Sequence, residues 1–447
     1  MLSNYMKRFF ITCVGCTRRK LDCERIKNYL IANGISMAES PKDADYLLIS
    51  TCGLSKYHED ESVRRILNLK DMGGESIVYG CLPLMNTEKV KSVFNGRIIN
   101  TRDIDSIDTF FPDFRISFKN ISDANKEYKE AYQVEHTGLK YRLKEKIKKF
   151  DLMYPCIFFN IIVFYLEKFR IYINKLIPAV FPTPLVLNPP VFVIDPKDNF
   201  MLRISSGCMG NCSYCNIKKA IGKLKSKYIS QILEEVKIGL SNNHYRYNII
   251  SDDTGSYGKD IETILPKLLK AILDEDERIT IEFIQDFHPM WICKYKSELT
   301  ELIKTKRIKS ILTPIQSGNE RILGLMNRNL DTKEFIEVIK KMKKASPRLR
   351  LRTQVIVGFP TETENDFNDT ITLVKECGFD EVDIFQYFEK DNMASAKIIP
   401  KVPNKVIYDR IRRIKTCLPI QTITHAIGDD WDQYESVNKI FRDHSSN

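Results

Sequence analysis

The sequence predicts an α/β protein: a small N-terminal doubly wound parallel sheet, then a partial (β/α)6 TIM-like barrel, with a helical insertion between them. Short apolar runs alternate with amphipathic stretches over residues 7–112, and the same alternation returns over about 200–415. The section between them is by turns highly charged and strongly apolar. At 447 residues the chain has room for two or three domains.

In the first section "RFFITCVG" is a short apolar strand and "CERIKNYLIANG" an amphipathic helix stopped by Gly34. "ADYLLIST" is a second buried strand, "HEDESVRRILNLKDMGG" a charged helix with a glycine stop, and "SIVYGCL" a third strand. Ligands of such sheets sit beyond the carboxyl ends of the strands. Cys16, Cys52 and Cys81 each fall just after one of these three strands, on one edge of one sheet. The domain is expected to end near 112.

Residues 113–190 carry the charged stretch "NKEYKEAYQVEHTGLKYRLKEKIKKF", an apolar stretch over 150–181 and the proline-rich linker "PTPLVLNPP". Packing as a brace, contact with a partner, and lying on a membrane surface are all open to the apolar part. From 191 to 415 the expected strands are "FMLRISSG", "RYNIISDD", "ITIEFIQD", "IKSILTPIQS", "LRTQVIVGF" and "EVDIFQYF", with helices such as "SQILEEVKIGL" and "TKEFIEVIKKMKK" between them. In a β/α barrel the site lies at the strand carboxyl ends. Residues 416–447 read as a short polar tail.

Composition narrows the class. The net charge of +11 attracts polyanions without specifying nucleic acid. No secretory signal opens the chain, and the longest apolar run, Cys156 to Leu166, is too short to span a bilayer. The expectation is a cytoplasmic protein, where twelve cysteines point to metal or redox chemistry rather than disulfides.

Cys208, Cys212 and Cys215 stand in C-x3-C-x2-C immediately after a predicted strand. Chance would give such a triple about 0.01 times per chain of this composition. Structural zinc wants a fourth ligand close by, and the nearest downstream candidate, His244, is too distant. Three thiolates with one open position suit a cubic iron–sulfur cluster whose fourth iron binds something exchangeable.

The stretch Cys208-Met-Gly-Asn-Cys212-Ser-Tyr-Cys215 resembles the signature of radical S-adenosylmethionine enzymes, with Tyr214 in the usual aromatic place. "TCVGCTRRKLDCER", "ADYLLISTCGLSK" and "VYGCLP" resemble the N-terminal domain of the methylthiotransferase branch. "SDDTGSYGKDI" is similar to the members acting on threonylcarbamoyladenosine in tRNA, and "PIQSGNERILGLMNR" and "VIVGFPTETENDF" to later loops of the family. The resemblance covers about 7–112 and 200–415.

It implies two [4Fe-4S] clusters, one on Cys208, Cys212 and Cys215 that chelates S-adenosylmethionine, and an auxiliary one on Cys16, Cys52 and Cys81. An electron through the first cluster, drawn from a reductant such as flavodoxin or ferredoxin, yields a 5′-deoxyadenosyl radical. The auxiliary cluster holds the sulfur to be inserted. Cys13 and Cys23 lie outside the pattern. By position, Asp252 and Asp253 are expected near the amino group of S-adenosylmethionine or the substrate, Gln316 and Ser317 near its ribose or carboxylate, Arg352 at the carboxylate, and Gly358 where adenine approaches backbone. An ordinary barrel-interior or capping role is open to each.

The match breaks in places. Arg19 stands where the family carries Asn, Ile221-Gly222 where it has Arg-Gly, and Asn392-Met393 where it has Gly-Thr. The small RNA-gripping β-barrel of the tRNA-acting members, on the order of sixty residues, is not expected within 418–447. The predicted function is sulfur insertion at an unactivated C–H followed by methylation. A modified adenosine of tRNA is the expected substrate. The alternatives are a peptide or small natural-product substrate, another C–S bond-forming radical reaction, and a non-catalytic iron–sulfur protein.

Overall fold

The computed structural model describes residues 7–129, 199–390 and 392–418, with the backbone of 421–425. The apolar insertion at 150–181 and the tail beyond 425 lie outside the described residues.

The N-terminal strands β1 (Arg8–Cys13), β2 (Ser36–Met37), β3 (Tyr46–Thr51), β4 (Glu75–Gly80) and β5 (Arg97–Asn100) form one parallel sheet in the order β2-β1-β3-β4-β5. Alternate residues face opposite sides of a strand. Phe9 and Ile11 therefore pack with Cys23, Ile26 and Tyr29 of α1 (Thr17–Ala32), while Ile49 and Val78 pack with Ile66 and Leu69 of α2 (Lys56–Leu69). Each such buried side chain stabilises the fold by about 1.5–3 kcal/mol. Two short helices, α3 (Leu82–Met85) and α4 (Thr87–Lys91), follow β4.

Two details depart from the expectation. Helix α1 begins directly after Cys16 rather than near Cys23: the extended Cys16 backbone starts it, and the Cys16 carbonyl accepts from Lys20 N at 3.1 Å. The charged "TRRK" starts the helix, with Arg18 and Arg19 spent on the contacts described below. The edge strands β2 and β5 are too short to leave a periodic signal.

The second sheet contains β6 (Phe200–Arg203), β9 (Arg246–Ile250), β10 (Thr280–Ile284), β11 (Ser310–Leu312), β12 (Arg350–Val357), β13 (Glu381–Gln386) and β14 (Gln421–His425). All are parallel neighbours in that order. A small antiparallel pair, β7 (Ser205–Ser206) and β8 (Lys225–Ser226), flanks the cysteine loop. The sheet thus has seven strands where six were expected. The seventh lies in the section that reads as a tail: "QTITH" has β-branched residues, but its polar setting masked them.

Between these strands run α5 (Ile217–Ile221), α6 (Ile229–Ser241), α7 (Leu265–Asp274), α8 (Pro289–Lys294), α9 (Lys296–Lys304) and α10 (Glu320–Leu325). They are followed by α11 (Thr332–Ala345), α12 (Glu364–Cys377) and α13 (Asn404–Cys417). Apolar faces such as Phe335, Ile339 and Met342 of α11 close the core around β10–β13.

Residues 118–128 run between the two sheets. Asn125 O accepts from Met201 N at 2.8 Å, and Tyr128 Oη donates to Ile11 O at 2.9 Å. Leu21 of α1, Ala124, Met201 of β6 and Ile250 of β9 make a small apolar seam there. Among the described residues no helix is long and apolar enough to cross a membrane.

Candidate active site

The loop after β7 carries Cys208, Cys212 and Cys215, and its shape follows from its glycine. Gly207 has φ +80°, and a Cβ there would lie 2.1 Å from Lys223 O, so only glycine fits. Each sulfur has an N–H donor nearby: Gly210 N to Cys208 Sγ at 3.2 Å, Ile217 N to Cys215 Sγ at 3.4 Å, and Arg328 to Cys212 Sγ at 3.6 Å. The end of α10 clasps the loop, with Ser213 N donating to Met326 O at 3.0 Å and Asn327 Nδ2 to Asn211 O at 2.8 Å. Arg328 also meets Tyr214 Oη at 3.3 Å and donates to Pro314 O at 2.5 Å.

The second trio is built differently. Cys16, Cys52 and Cys81 come from the ends of β1, β3 and β4, three adjacent strands. Gly80, at φ +116° with Thr51 O 2.2 Å from its Cβ position, sets up Cys81. Ser62 of α2 accepts from Cys52 N at 2.9 Å. Burial pushes the Cys52 thiol up to about 12, helped by the nearness of Cys16 and Cys81. It pushes Cys81 up to about 11, against the pull of Arg19. In the barrel trio burial raises Cys208 to about 12 and Cys215 to about 11. Metal binding at either trio therefore displaces protons. Among the described residues no three of these side chains converge tightly enough for one metal ion. Three free thiols at each trio are the donor chemistry of an iron–sulfur cluster.

Cys16 of the N-terminal trio and all three barrel cysteines line one cavity of about 360 Å³. Cys16, Arg18, Gly53 and Met85 line it from the N-terminal side, and the three barrel cysteines with Tyr214 from the other. Its floor carries Asp252, Asp253, Gln285, Asp286, His288 and Gln316 from the strand carboxyl ends. Asp253 Oδ1, Gln285 Oε1 and Gln316 Oε1 are buried there without a hydrogen-bond partner, which fits a polar ligand. Burial lifts Asp253 to about 6, while Trp291 and Ser256 hold it down. Burial lowers His288 to about 2, so its imidazole is neutral. Asp286 (φ +49°) and Gln316 (φ +71°) both hold left-handed backbone, a strain that clusters at functional sites.

Of the residues singled out from sequence, the cavity brings together Cys16, the barrel cysteines, Tyr214, Asp252, Asp253 and Gln316. Cys52 and Cys81 do not line it. Ser317 is buried against Thr370 at 3.4 Å, and Arg352 pairs with Glu381. Gly358 has φ +84°, and its open side faces Ile407 of α13 at 2.4 Å from the Cβ position. The "SDDTGSYG" stretch is mostly scaffold: Thr254 donates to Gln285 O, and Ser256 donates to Asp253 O at 2.9 Å.

Sequence reasoning missed Arg18, Arg328, Asp286, His288 and Lys390. Arg328 ends a stretch that had been singled out, and Arg18 sits beside a cysteine, but charge alone marks neither as buried. Lys390 donates to Gly53 O and pairs with Glu59 at 2.9 Å, reaching from the end of β13 to the loop after Cys52. Arg19 is buried, bonded to Tyr79 Oη at 3.0 Å and paired with Asp22 at 3.0 Å.

Two family models match the chain in order: "Uncharacterized protein family UPF0004" over residues 8–99 and "Radical SAM superfamily" over 202–374. A "Probable threonylcarbamoyladenosine tRNA methylthiotransferase" of Pyrococcus horikoshii is 28% identical, over 91% of this chain and 83% of its own. The "Ribosomal protein uS12 methylthiotransferase RimO" of Thermosipho melanesiensis is 27% identical, over 91% and 82%. The "tRNA-2-methylthio-N(6)-dimethylallyladenosine synthase" of Clostridium botulinum is 26% identical, over 92% and 81%. Among solved structures, the radical S-adenosylmethionine methyltransferase TsrM of Kitasatospora setae shares the fold, with TM-score 0.53 at 8% identity, over 85% of this chain and 74% of that one. The family's cofactors are S-adenosylmethionine and two [4Fe-4S] clusters. The two family models, in this order, and relatives that are methylthiotransferases along most of this chain support the radical S-adenosylmethionine methylthiotransferase family.

Proposed function

We propose that Cys208, Cys212 and Cys215 hold the cluster that binds S-adenosylmethionine, that Cys16, Cys52 and Cys81 hold the second, and that the substrate is a hypermodified adenosine of tRNA. The observation that carries this is the shared cavity, which Cys16 lines together with all three barrel cysteines. When bound, the barrel cluster with S-adenosylmethionine supplies a radical that removes hydrogen, the second cluster supplies sulfur, and a second S-adenosylmethionine supplies the methyl group.

The chain's own residues bind, orient and screen. Asp253 and Gln316 offer buried acceptors to a cationic amino group or a ribose, and Gln285 adds a third. Arg328 donates to Cys212 and Tyr214, favouring charge on that thiolate. Neutral His288 offers no positive charge to the cavity. Ser317, Arg352 and Gly358 act as scaffold beneath it. The positive net charge suits a polyanionic substrate, and two of the three relatives named above modify tRNA. The electron comes from a low-potential carrier such as flavodoxin or ferredoxin.

The test compares tRNA nucleosides with and without the gene by mass spectrometry. A gain matching SCH3 in place of H on a modified adenosine is expected. Unchanged tRNA, with that gain on a ribosomal protein or a short peptide instead, assigns the substrate to protein.

A further inference from the structure

Arg18 lies on the first turn of α1, two residues past Cys16, yet its partners are in the barrel. Its Nε pairs with Asp252 Oδ1 at 3.0 Å, and its terminal nitrogen donates to Asp286 Oδ2 at 2.5 Å and to Ser251 O at 2.8 Å. These acceptors come from the carboxyl ends of β9 and β10. Asp252 Oδ2 in turn accepts from Gly207 N at 2.8 Å, and Gly207 is the residue before Cys208. An unbroken path of polar contacts thus joins the backbone beside Cys16 to the backbone beside Cys208.

A second path runs on the other side of the cavity. Asn392 Nδ2 donates to Met85 O at 2.9 Å, and Asn392 Oδ1 accepts from Asn216 Nδ2 at 2.8 Å. Met85 closes α3, the helix that begins after Cys81, and Asn216 follows Cys215.

We propose that Arg18 is a positioning residue that fixes the spacing of the two trios, so that hydrogen removal and sulfur delivery meet at one substrate atom. Asn392 braces the same spacing through Met85 and Asn216, both of which line the cavity. The inference rests on the two-cluster assignment above. The planar fork suits it: three acceptors on two strands are met at fixed angles, which a single ammonium cannot do. Burial works against the Arg18 charge, but Cys16, Asp286 and Asp252 around it keep the guanidinium protonated. The other ion pairs between the halves differ. Arg203–Asp22, at 2.5 Å, is absent from the cavity wall, and Lys390–Glu59 reaches no barrel cysteine loop.

The test uses the reconstituted full chain, Arg18→Met and Arg18→Lys, with total tRNA from cells lacking the gene. Three quantities are read: iron per chain, methylthiolated nucleoside per 5′-deoxyadenosine, and hydrogen exchange of residues 205–215. Arg18→Met should keep about eight irons while product per 5′-deoxyadenosine falls roughly 10- to 100-fold. Exchange at 205–215 should quicken although the substitution is in the other half of the molecule. Arg18→Lys should recover part of the ratio. An unchanged ratio with unchanged exchange overturns the proposal, and so does a fall that accompanies loss of half the iron. If Arg18→Met does not fold, Arg18→Lys decides: a wild-type ratio overturns the proposal and an intermediate one supports it. About four irons in the unaltered chain refutes the two-cluster assignment instead. No product from the unaltered chain refutes the tRNA substrate, and exchange at 205–215 then decides for Arg18.

Discussion

The two cysteine trios solve one problem in opposite ways. The barrel trio sits on a single eight-residue loop, where a backbone amide or a guanidinium points at every sulfur. The N-terminal trio draws one residue from each of three neighbouring strands, so the sheet itself sets its geometry. A loop signature is compact and legible in sequence, whereas a sheet-borne trio is spread over 66 positions and is visible only once strands are assigned. The difference also separates tasks. Local amides and Arg328 can tune one site without touching the other.

Single cysteine replacements should give the largest and most divergent effects. Cys208→Ala should abolish 5′-deoxyadenosine formation and cut iron to about four per chain. Cys52→Ala should lose the same iron yet keep 5′-deoxyadenosine formation while sulfur transfer stops. If Cys52→Ala also silences 5′-deoxyadenosine, the division of labour is wrong. Potentiometric titration followed by electron paramagnetic resonance checks a smaller effect. Arg328→Met removes a charged donor from Cys212, a contact of about 1.5–3 kcal/mol, and should move the barrel cluster's midpoint negative by roughly 50–100 mV. The N-terminal cluster should not move.

The smallest effect concerns the segment between the sheets. Asp123 is buried, and although burial alone would raise it, Arg203 and Lys227 hold its carboxyl below the ordinary value of 3.8. A lowered carboxylate contributes stability above its unfolded value and loses it as pH falls through the folded one. Asp123→Asn should therefore lower the unfolding free energy at pH 7 by about 3 kcal/mol, as for a broken buried pair. The gap should begin to close as pH falls below about 4 and vanish only once the folded carboxyl itself is protonated, well below that value. A gap that stays constant with pH would show that packing rather than charge is lost.

Much of this was legible in the sequence, for stated reasons. The strand–helix alternation follows from burial of Ile, Val and Phe on alternate positions, and it placed all six cysteines at strand ends. The seventh barrel strand escaped because "QTITH" carries one large apolar residue. The candidate contacts divided by register. Asp253 and Gln316 reach the cavity, but Arg352 and Ser317 are turned into ion pairing and helix packing, a choice made by tertiary neighbours. Arg18, Arg19 and Asp22 precede the helix expected from Cys23, and nothing local marks them as buried. Their partners lie far along the chain, at Tyr79, Arg203, Asp252 and Asp286, and no local pattern announces them.

Helix α1 carries Arg18 and Asp22 four positions apart, so both rungs project the same way, toward the barrel. One inserted residue between them would turn the second by about 100° and swing its carboxylate off Arg203. The helix behaves as a keyed shaft. Point changes on its outward side should be absorbed readily, while any change of length before Asp22 puts the two halves of the enzyme out of phase.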